Sequence, residues 1–203
     1  MAPFITFEGG EGSGKTTQAR ALYRRLLQSG IAALLCREPG GTSVGREVRR
    51  LLKRPTDTGI SPQAELFLVA ASRAQLVQDL ILPSLAVGTA IICDRYAHST
   101  LAYQGYGRGI SLEDIHLVNN VATRGLLPDL VVLLDIPVEV GLARKASARR
   151  DRFEEEEVAF HERVRDGYLS MARADPQRWL VIDAALPRGE IRSRVWDEIE
   201  GLF

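Results

Sequence analysis

A glycine-rich loop near the start of the chain constrains the fold more than any other segment. Residues 9–16 read Gly-Gly-Glu-Gly-Ser-Gly-Lys-Thr, match GxxxxGK[ST] without a mismatch, and closely follow an apolar run at residues 4–7. Glycines in this pattern let successive backbone N–H groups turn toward phosphates, while the lysine reaches the outer phosphates and the hydroxyl can hold Mg²⁺. This phosphate loop therefore predicts a strand, a turn and a helix that bind a nucleoside triphosphate with Mg²⁺, rather than a turn that only joins two elements.

Short apolar runs alternate with helical patterns along the rest of the chain. The runs are short and apolar enough to predict buried parallel strands, at residues 4–7, 32–36, 90–93, 130–135 and 179–183. Helix patterns occupy residues 15–29, 43–53, 62–81 (ending near Pro83), 112–123, 138 to about 147, 154–174 and 188–202. The alternation predicts a single α/β domain over residues 1–203, in which a five-stranded parallel sheet carries helices on both faces and binds ligands at the carboxyl ends of its strands.

The composition predicts a cytoplasmic protein that binds neither nucleic acid nor membranes. The 26 basic and 26 acidic residues cancel, so no overall field attracts polyanions. Cys36 and Cys93 end apolar runs without metal-ligand spacing, which predicts buried thiols in a reducing compartment. No apolar run approaches about 18 residues, and the first strand begins too early to leave room for a signal peptide.

Three further segments narrow the class of phosphate-loop protein. The first is the Arg-Glu-Pro-Gly-Gly-Thr sequence at 37–42, followed one helix later by Arg49 and Arg50. The second is Asp-Arg-Tyr-Ala-His-Ser-Thr-Leu-Ala-Tyr-Gln-Gly at 94–105, and the third combines Pro128 and Asp129 with an arginine-rich segment beyond residue 143. Together with Phe-Glu-Gly at 7–9, they resemble the bacterial thymidylate kinases from about residue 4 to residue 185. The resemblance implies the P-loop NTPase fold and transfer of a phosphoryl group from ATP to dTMP.

The resemblance also implies residues for the donor nucleotide. Lys15 is expected to neutralise phosphate charge in the transition state, and Thr16 to hold Mg²⁺ with Asp94 near the ion and its waters. The full set expected to bind ATP is Gly10, Glu11, Gly12, Ser13, Gly14, Lys15, Thr16 and Thr17.

Acceptor residues follow from the same resemblance. Arg95 and Arg49 are expected to hold the phosphate of the monophosphate, Glu11 to face its sugar, Arg73 to read the thymine edge and Tyr103 to crowd the 2′ position. The remaining expected substrate contacts are Pro39, Val69, Ser99, Thr100 and Gln104. Val69 departs from the family, which usually has an aromatic residue there to stack on the base.

The arginine-rich segment matches a lid, at about residues 144–153. The phosphate loop contains no arginine, and family members of that kind supply the catalytic positive charge from the lid. Arg149 and Arg152 are the expected catalytic residues, and Arg150 stays open as an alternative. The family also implies a homodimer formed through helices, for which residues 66–71 or 112–121 offer apolar stretches.

Other functions stay open on sequence alone. A deoxynucleoside kinase needs a base beside a neutral hydroxyl, and Glu38 is the candidate for that role; another monophosphate kinase is also compatible. A regulatory GTPase is disfavoured because no Asn-Lys-x-Asp sequence is present. A nonenzymatic ATP-binding module explains the phosphate loop but gives no purpose to the arginines near residues 49 and 95.

Overall fold

The computed structural model describes residues 2–54, 59–145, 152–153 and 155–203. Within those ranges one parallel sheet runs in the order β2-β3-β1-β4-β5. Its strands are β1 Phe4–Glu8, β2 Ala33–Arg37, β3 Ala90–Asp94, β4 Leu130–Asp135 and β5 Trp179–Asp183. After β1 the chain crosses to the edge strand β2, returns to β3 beside β1, and then adds β4 and β5 on the other side of β1, so the switch point lies at the carboxyl end of β1, where such sheets bind ligands. The predicted five-stranded parallel sheet is confirmed.

Helices cover both faces of this sheet, also as predicted. The α-helices are α1 Lys15–Gln28, α2 Ser43–Lys53, α3 Pro62–Leu76, α4 Leu82–Ala86, α5 Ala97–Thr100, α6 Leu112–Thr123, α7 Val138–Ala143, α8 Val158–Ala174 and α9 Arg188–Ile199. Alternate strand residues separate the two cores. Phe7 and Val132 pack with α1 and α9 on one face, whereas Phe4 and Val131 belong to clusters on the other face. Cys36 and Cys93 are buried free thiols that lie opposite each other on the neighbouring strands β2 and β3.

The helices differ from the sequence prediction in several places, one of which is α7, predicted to about residue 147 but ending at Ala143. Helix α3 does not end near Pro83, because the π-helical turn Val77–Ile81 carries it into α4. Pro83 is the second residue of α4 and follows this π-helical turn closely. Residues 97–107 form α5 and a π-helical segment, Leu101–Gly107, that the sequence did not predict. Helix α8 begins at Val158 rather than residue 154, and Glu154 itself lies outside the described residues.

The continuous helix from Pro62 to Ala86 has the length and mean hydropathy, 1.3, of a membrane span. Its charged side chains show that it is a core helix. Glu65 and Arg73 are 0% and 2% exposed, and both form ion pairs inside the protein. The same helix packs against α2 and α6.

Candidate functional site

A cavity of about 640 Å³ opens at the carboxyl edge of the sheet. It brings together nearly all of the residues predicted from the sequence. Those that line it are Glu11, Gly12, Ser13, Gly14, Lys15, Thr16, Thr17, Pro39, Arg49, Val69, Arg73, Asp94, Arg95, Ser99, Thr100, Tyr103 and Gln104. Gly10, also in the phosphate loop, lines a separate, smaller pocket instead. Arg149 and Arg150 lie outside the described residues.

The phosphate loop has the backbone that its glycines predict. Gly12 and Gly14 adopt φ values of 69° and 93°, and α1 begins at Lys15. The Lys15 Nζ donates to the Gly10 carbonyl at 2.6 Å and to Ser13 Oγ at 3.2 Å. Burial lowers the pKa of Lys15 to about 8, with a further contribution from Arg95, while Glu11 and Asp94 oppose the change. The loop therefore holds a cationic group and the positive end of a helix at one end of the cavity.

A hydroxyl and a carboxylate meet beside this loop. Thr16 Oγ1 donates to Asp94 Oδ2, which joins the start of α1 to the end of β3. Both are oxygen ligands of the kind that Mg²⁺ accepts. The described residues contain no group of three or more His, Cys, Asp or Glu side chains able to hold a metal alone. This arrangement fits an ion bound largely through nucleotide phosphates and water.

Arg95 points across the cavity from the end of β3. Its φ of 74° is uncommon for a residue with a side chain. Its Nη2 donates to Glu11 Oε1 at 2.7 Å and to Tyr103 OH at 2.9 Å. Glu11 also accepts from Lys145 Nζ at 2.6 Å. Burial would raise the pKa of Glu11, but Arg95, Lys15 and Lys145 together hold that pKa well below its usual value.

Arg73 is fixed inside the protein at the other end of the cavity. Its Nε donates to Glu38 Oε2 at 2.7 Å, its Nη1 to Asn119 Oδ1 at 2.6 Å and its Nη2 to the Tyr96 carbonyl at 3.1 Å. A guanidinium has five N–H donors, so these bonds leave donors for a ligand. Burial raises the pKa of Glu38 to about 7, against the opposing charge of Arg73.

Arg152 and Phe153, the described residues of the predicted lid, contact the side of the cavity formed by α2 and α3. Arg152 donates from Nε to the Leu52 carbonyl at 3.0 Å and from Nη2 to Glu65. Among the described contacts of Arg152, none reaches the phosphate loop. Phe153 lines the cavity with Val69 and packs against the small apolar cluster that contains Val69. An aromatic ring is therefore present beside the position where the family usually has one on α3.

Two buried residues behind Arg95 were not expected from the sequence. Glu8 belongs to the Phe-Glu-Gly segment, but the sequence predicted no role for it. Tyr168 lies on α8 outside every motif. Tyr168 matches the apolar period of its helix, so its pattern does not distinguish it from an ordinary core residue. Its hydroxyl nevertheless lies 3.2 Å from Arg95 Nη1.

Comparison with known proteins gives a consistent result. A sequence model described as thymidylate kinase matches residues 7–195. A thymidylate kinase of Dehalococcoides mccartyi strain 195 is 48% identical over 203 residues, covering 100% of this chain and 98% of that protein. One from Synechococcus sp. strain JA-2-3B'a(2-13) is 51% identical, covering 97% of this chain and 94% of that protein.

A solved structure extends the likeness to three dimensions. The crystal structure of thymidylate kinase from Ehrlichia chaffeensis aligns with a TM-score of 0.78 at 33% identity, covering 100% of this chain and 99% of that one. The likeness therefore extends through both sequence and fold. The chain belongs to the thymidylate kinase family.

Proposed function

We propose that the cavity at the carboxyl edge of the sheet carries out the reaction of this family, and we assign its residues to the two substrates. The chain is a nucleoside monophosphate kinase that transfers a phosphoryl group from ATP to dTMP, giving dTDP and ADP. The observation that carries the assignment is that Lys15 and Arg95 line one cavity from separate elements. Two mutually repelling anions can therefore be held in line there, and positioning and charge stabilisation are what phosphoryl transfer requires.

The donor side is built on the phosphate loop. Backbone N–H groups of residues 10–17 bind the ATP phosphates, and Lys15 stabilises charge on the transferred group. Thr16 and Asp94 would hold Mg²⁺, which would neutralise phosphate charge. Their hydrogen bond supports this, since it brings a hydroxyl and a carboxylate together beside the loop.

The acceptor side is built on two arginines. Arg95 and Arg49 bind the phosphate of dTMP, which is largely ionised near neutral pH because its second pKa is about 6. No general base is then needed. In the structure, Arg95 Nη2 is paired with Glu11, so an incoming phosphate shares or replaces that carboxylate. The lid excludes water, and Arg149 and Arg152 supply positive charge from it.

The thymine base lies toward α3. Arg73, Thr100 and Gln104 contact its polar edge, Tyr103 crowds the 2′ position, and Val69 and Pro39 line the site. Phe153 supplies the aromatic surface that Val69 lacks, which is supported by their shared apolar cluster. The competing role for Glu38, as a base for a neutral hydroxyl, is disfavoured because Arg49 and Arg95 line the same cavity and favour an anionic acceptor.

The protein acts as a cytoplasmic homodimer that uses small-molecule substrates and binds neither nucleic acid nor membranes. Helices α3 and α6 pack together and expose Phe67, Leu117 and Val121 at 61%, 63% and 80%. Such a surface is typical of an interface. The zero net charge supports the absence of polyanionic partners.

An ADP-release assay with ATP and Mg²⁺ tests these assignments, comparing dTMP, dUMP, UMP, CMP, AMP, GMP and thymidine as acceptors. We expect strong preference for dTMP. Lys15→Ala should lower kcat, and Arg95→Ala should chiefly raise KM for dTMP. Arg194→Ala, which removes a surface partner of Glu190, should change neither. Preference for thymidine, or unchanged turnover in Lys15→Ala, would contradict the assignment.

A further inference from the structure

A buried cluster of hydroxyl and carboxylate groups lies against Nη1 of Arg95, whereas Nη2 contacts Glu11. We define the Arg95 support as Glu8 on β1, Ser99 on α5 and Tyr168 on α8. Glu8 is 0% exposed and Tyr168 is 1% exposed. Ser99 and Arg95 line the cavity, while Glu8 and Tyr168 are absent from its lining. Three distant segments of the chain therefore meet at one guanidinium.

The two hydroxyls of this cluster contact both the carboxylate and each other. Ser99 Oγ donates to Glu8 Oε2 at 2.6 Å, and Tyr168 OH donates to the same oxygen at 2.9 Å. An ionised carboxylate only accepts, whereas the two hydroxyl oxygens lie 2.8 Å apart, where either can donate to the other. The lone pairs of the two hydroxyls can accept from Arg95 Nη1, at 3.3 Å from Ser99 and 3.2 Å from Tyr168.

Glu8 is itself fixed in place. Its Oε1 accepts from the backbone N–H of Tyr96 at 2.8 Å, one residue beyond Arg95. Burial raises the pKa of Glu8, and the hydrogen bond from Ser99, the charge of Arg95 and the bonds from Tyr96 and Tyr168 oppose that rise. The carboxylate thus holds both the backbone next to Arg95 and the hydroxyls beneath its side chain.

The two arms of Arg95 consequently have different environments. Nη2 faces Glu11 and Tyr103, which line the cavity, and Nη1 faces the support and the Gly9 carbonyl. We propose that Tyr168 is a positioning residue which, together with Ser99 and Glu8, fixes Nη1 so that Arg95 presents the rest of its guanidinium to the phosphate of the monophosphate. This inference rests on the proposed role of Arg95 in the acceptor site.

The expected effect is selective for the acceptor's phosphate. Removing the Tyr168 hydroxyl deletes one acceptor of a charged donor and leaves the ring in its apolar cluster. A hydrogen bond to a charged group is worth enough to change affinity about 10-fold. Because thymidine lacks the phosphate, its binding should not depend on how Arg95 is held.

The test compares dTMP with thymidine in Tyr168→Phe. We expect KM for dTMP to rise about 10-fold with kcat changed less, and the inhibition constant of thymidine to change less than about 2-fold. Tyr106→Phe is the matched control. The Tyr106 ring packs against Gly167, which neighbours Tyr168 on α8, but Tyr106 lies outside the cluster. Ser99→Ala, which removes the second hydroxyl, should show the same selectivity and serves if Tyr168→Phe folds poorly.

The Arg95→Ala variant distinguishes failure of the Tyr168 inference from failure of the Arg95 assignment. If Tyr168 acts through Arg95, adding Tyr168→Phe to Arg95→Ala should produce no further loss of dTMP affinity. Equal weakening of dTMP and thymidine in Tyr168→Phe, or no change while Arg95→Ala loses dTMP selectively, would overturn the inference and leave the proposed function standing. An Arg95→Ala enzyme with unchanged KM for dTMP would overturn the Arg95 assignment, and this inference with it.

Discussion

At Gly12, the backbone of the phosphate loop contacts the backbone of α7, the helix that precedes the predicted lid. A Cβ at Gly12 would lie 1.9 Å from the Gly141 carbonyl oxygen, and one at Gly141 would lie 2.3 Å from the Glu11 carbonyl oxygen. Neither neighbour is a flexible side chain that can move aside. Gly12 also has φ 69°, which disfavours any residue with a side chain. Position 12 is one of the four variable positions of the GxxxxGK[ST] motif, so it is the packing against α7 and the positive φ that explain the glycine here.

We therefore expect Gly12→Ala to lower the free energy of unfolding by about 1–3 kcal/mol, from backbone strain and the clash with α7. Gly10→Ala is the matched control, because no positive φ occurs there and nothing lies within 4 Å of its added Cβ. Its free energy of unfolding should stay within about 0.5 kcal/mol. Urea unfolding without nucleotide measures both. Equal losses in the two variants would show that the contact with Gly141 does not matter.

The position of a residue at the cavity was predictable from the sequence where a motif fixes it, as for Lys15 and Arg95, both of which line the cavity. The partners that hold those residues were not. Tyr168 is 73 positions from Arg95, and its apolar helix pattern is equally typical of a core residue. Asn119 supports Arg73 from α6 without any local signal. Such contacts depend on tertiary packing, which sequence spacing does not encode.

At the scale of elements, the strands were predicted to within a residue or so, because strands of a buried parallel sheet read as continuous apolar runs. The helical segment at residues 97–107 was missed. It is short and contains Gly105 and Gly107, which disfavour a helix. Its glycines are explained by packing: a Cβ at Gly107 would lie 2.6 Å from the ring of Phe160 on α8.

Glu65 joins this segment to α3 and to the end of the lid. Its buried carboxylate accepts from Gln104 Nε2 at 2.6 Å, and it pairs with both Arg108 and Arg152. Arg108 also reaches Glu156, at 2.6 Å, where the carboxylate is 25% exposed. The same arginine thus has one buried and one partly exposed acidic partner.

We expect Glu65→Ala to lower the free energy of unfolding by about 1–3 kcal/mol, because it removes the buried carboxylate that Gln104, Arg108 and Arg152 share. Glu156→Ala should cost less than about 1 kcal/mol, as partly exposed ion pairs contribute little. Urea unfolding of the two variants under the same salt conditions provides the comparison. Similar losses would mean that Glu65 is replaced by solvent or by another acidic group.

At the scale of the whole molecule, the neighbouring helices α3 and α6 expose large apolar side chains. Leu117 and Val121 are four residues apart on α6 and therefore share a helix face. They are 63% and 80% exposed, with Phe67 on the neighbouring α3 at 61%. Inward, the same helix places Asn119 on Arg73. A second copy packed on this surface would cover the apolar side chains and support the helix that holds Arg73.

If this surface forms the homodimer, Leu117→Asp should convert the protein from twice the 22.4 kDa chain mass to a single chain, because burying an unpaired carboxylate at an interface is unfavourable. Light scattering coupled to size exclusion measures the molar mass across a range of protein concentrations. Val87→Asp is the matched control, since Val87 is 78% exposed at the end of α4 and should leave the mass unchanged. A dimer that survives Leu117→Asp and Val121→Asp would place the interface elsewhere, and a wild-type monomer would exclude the dimer itself.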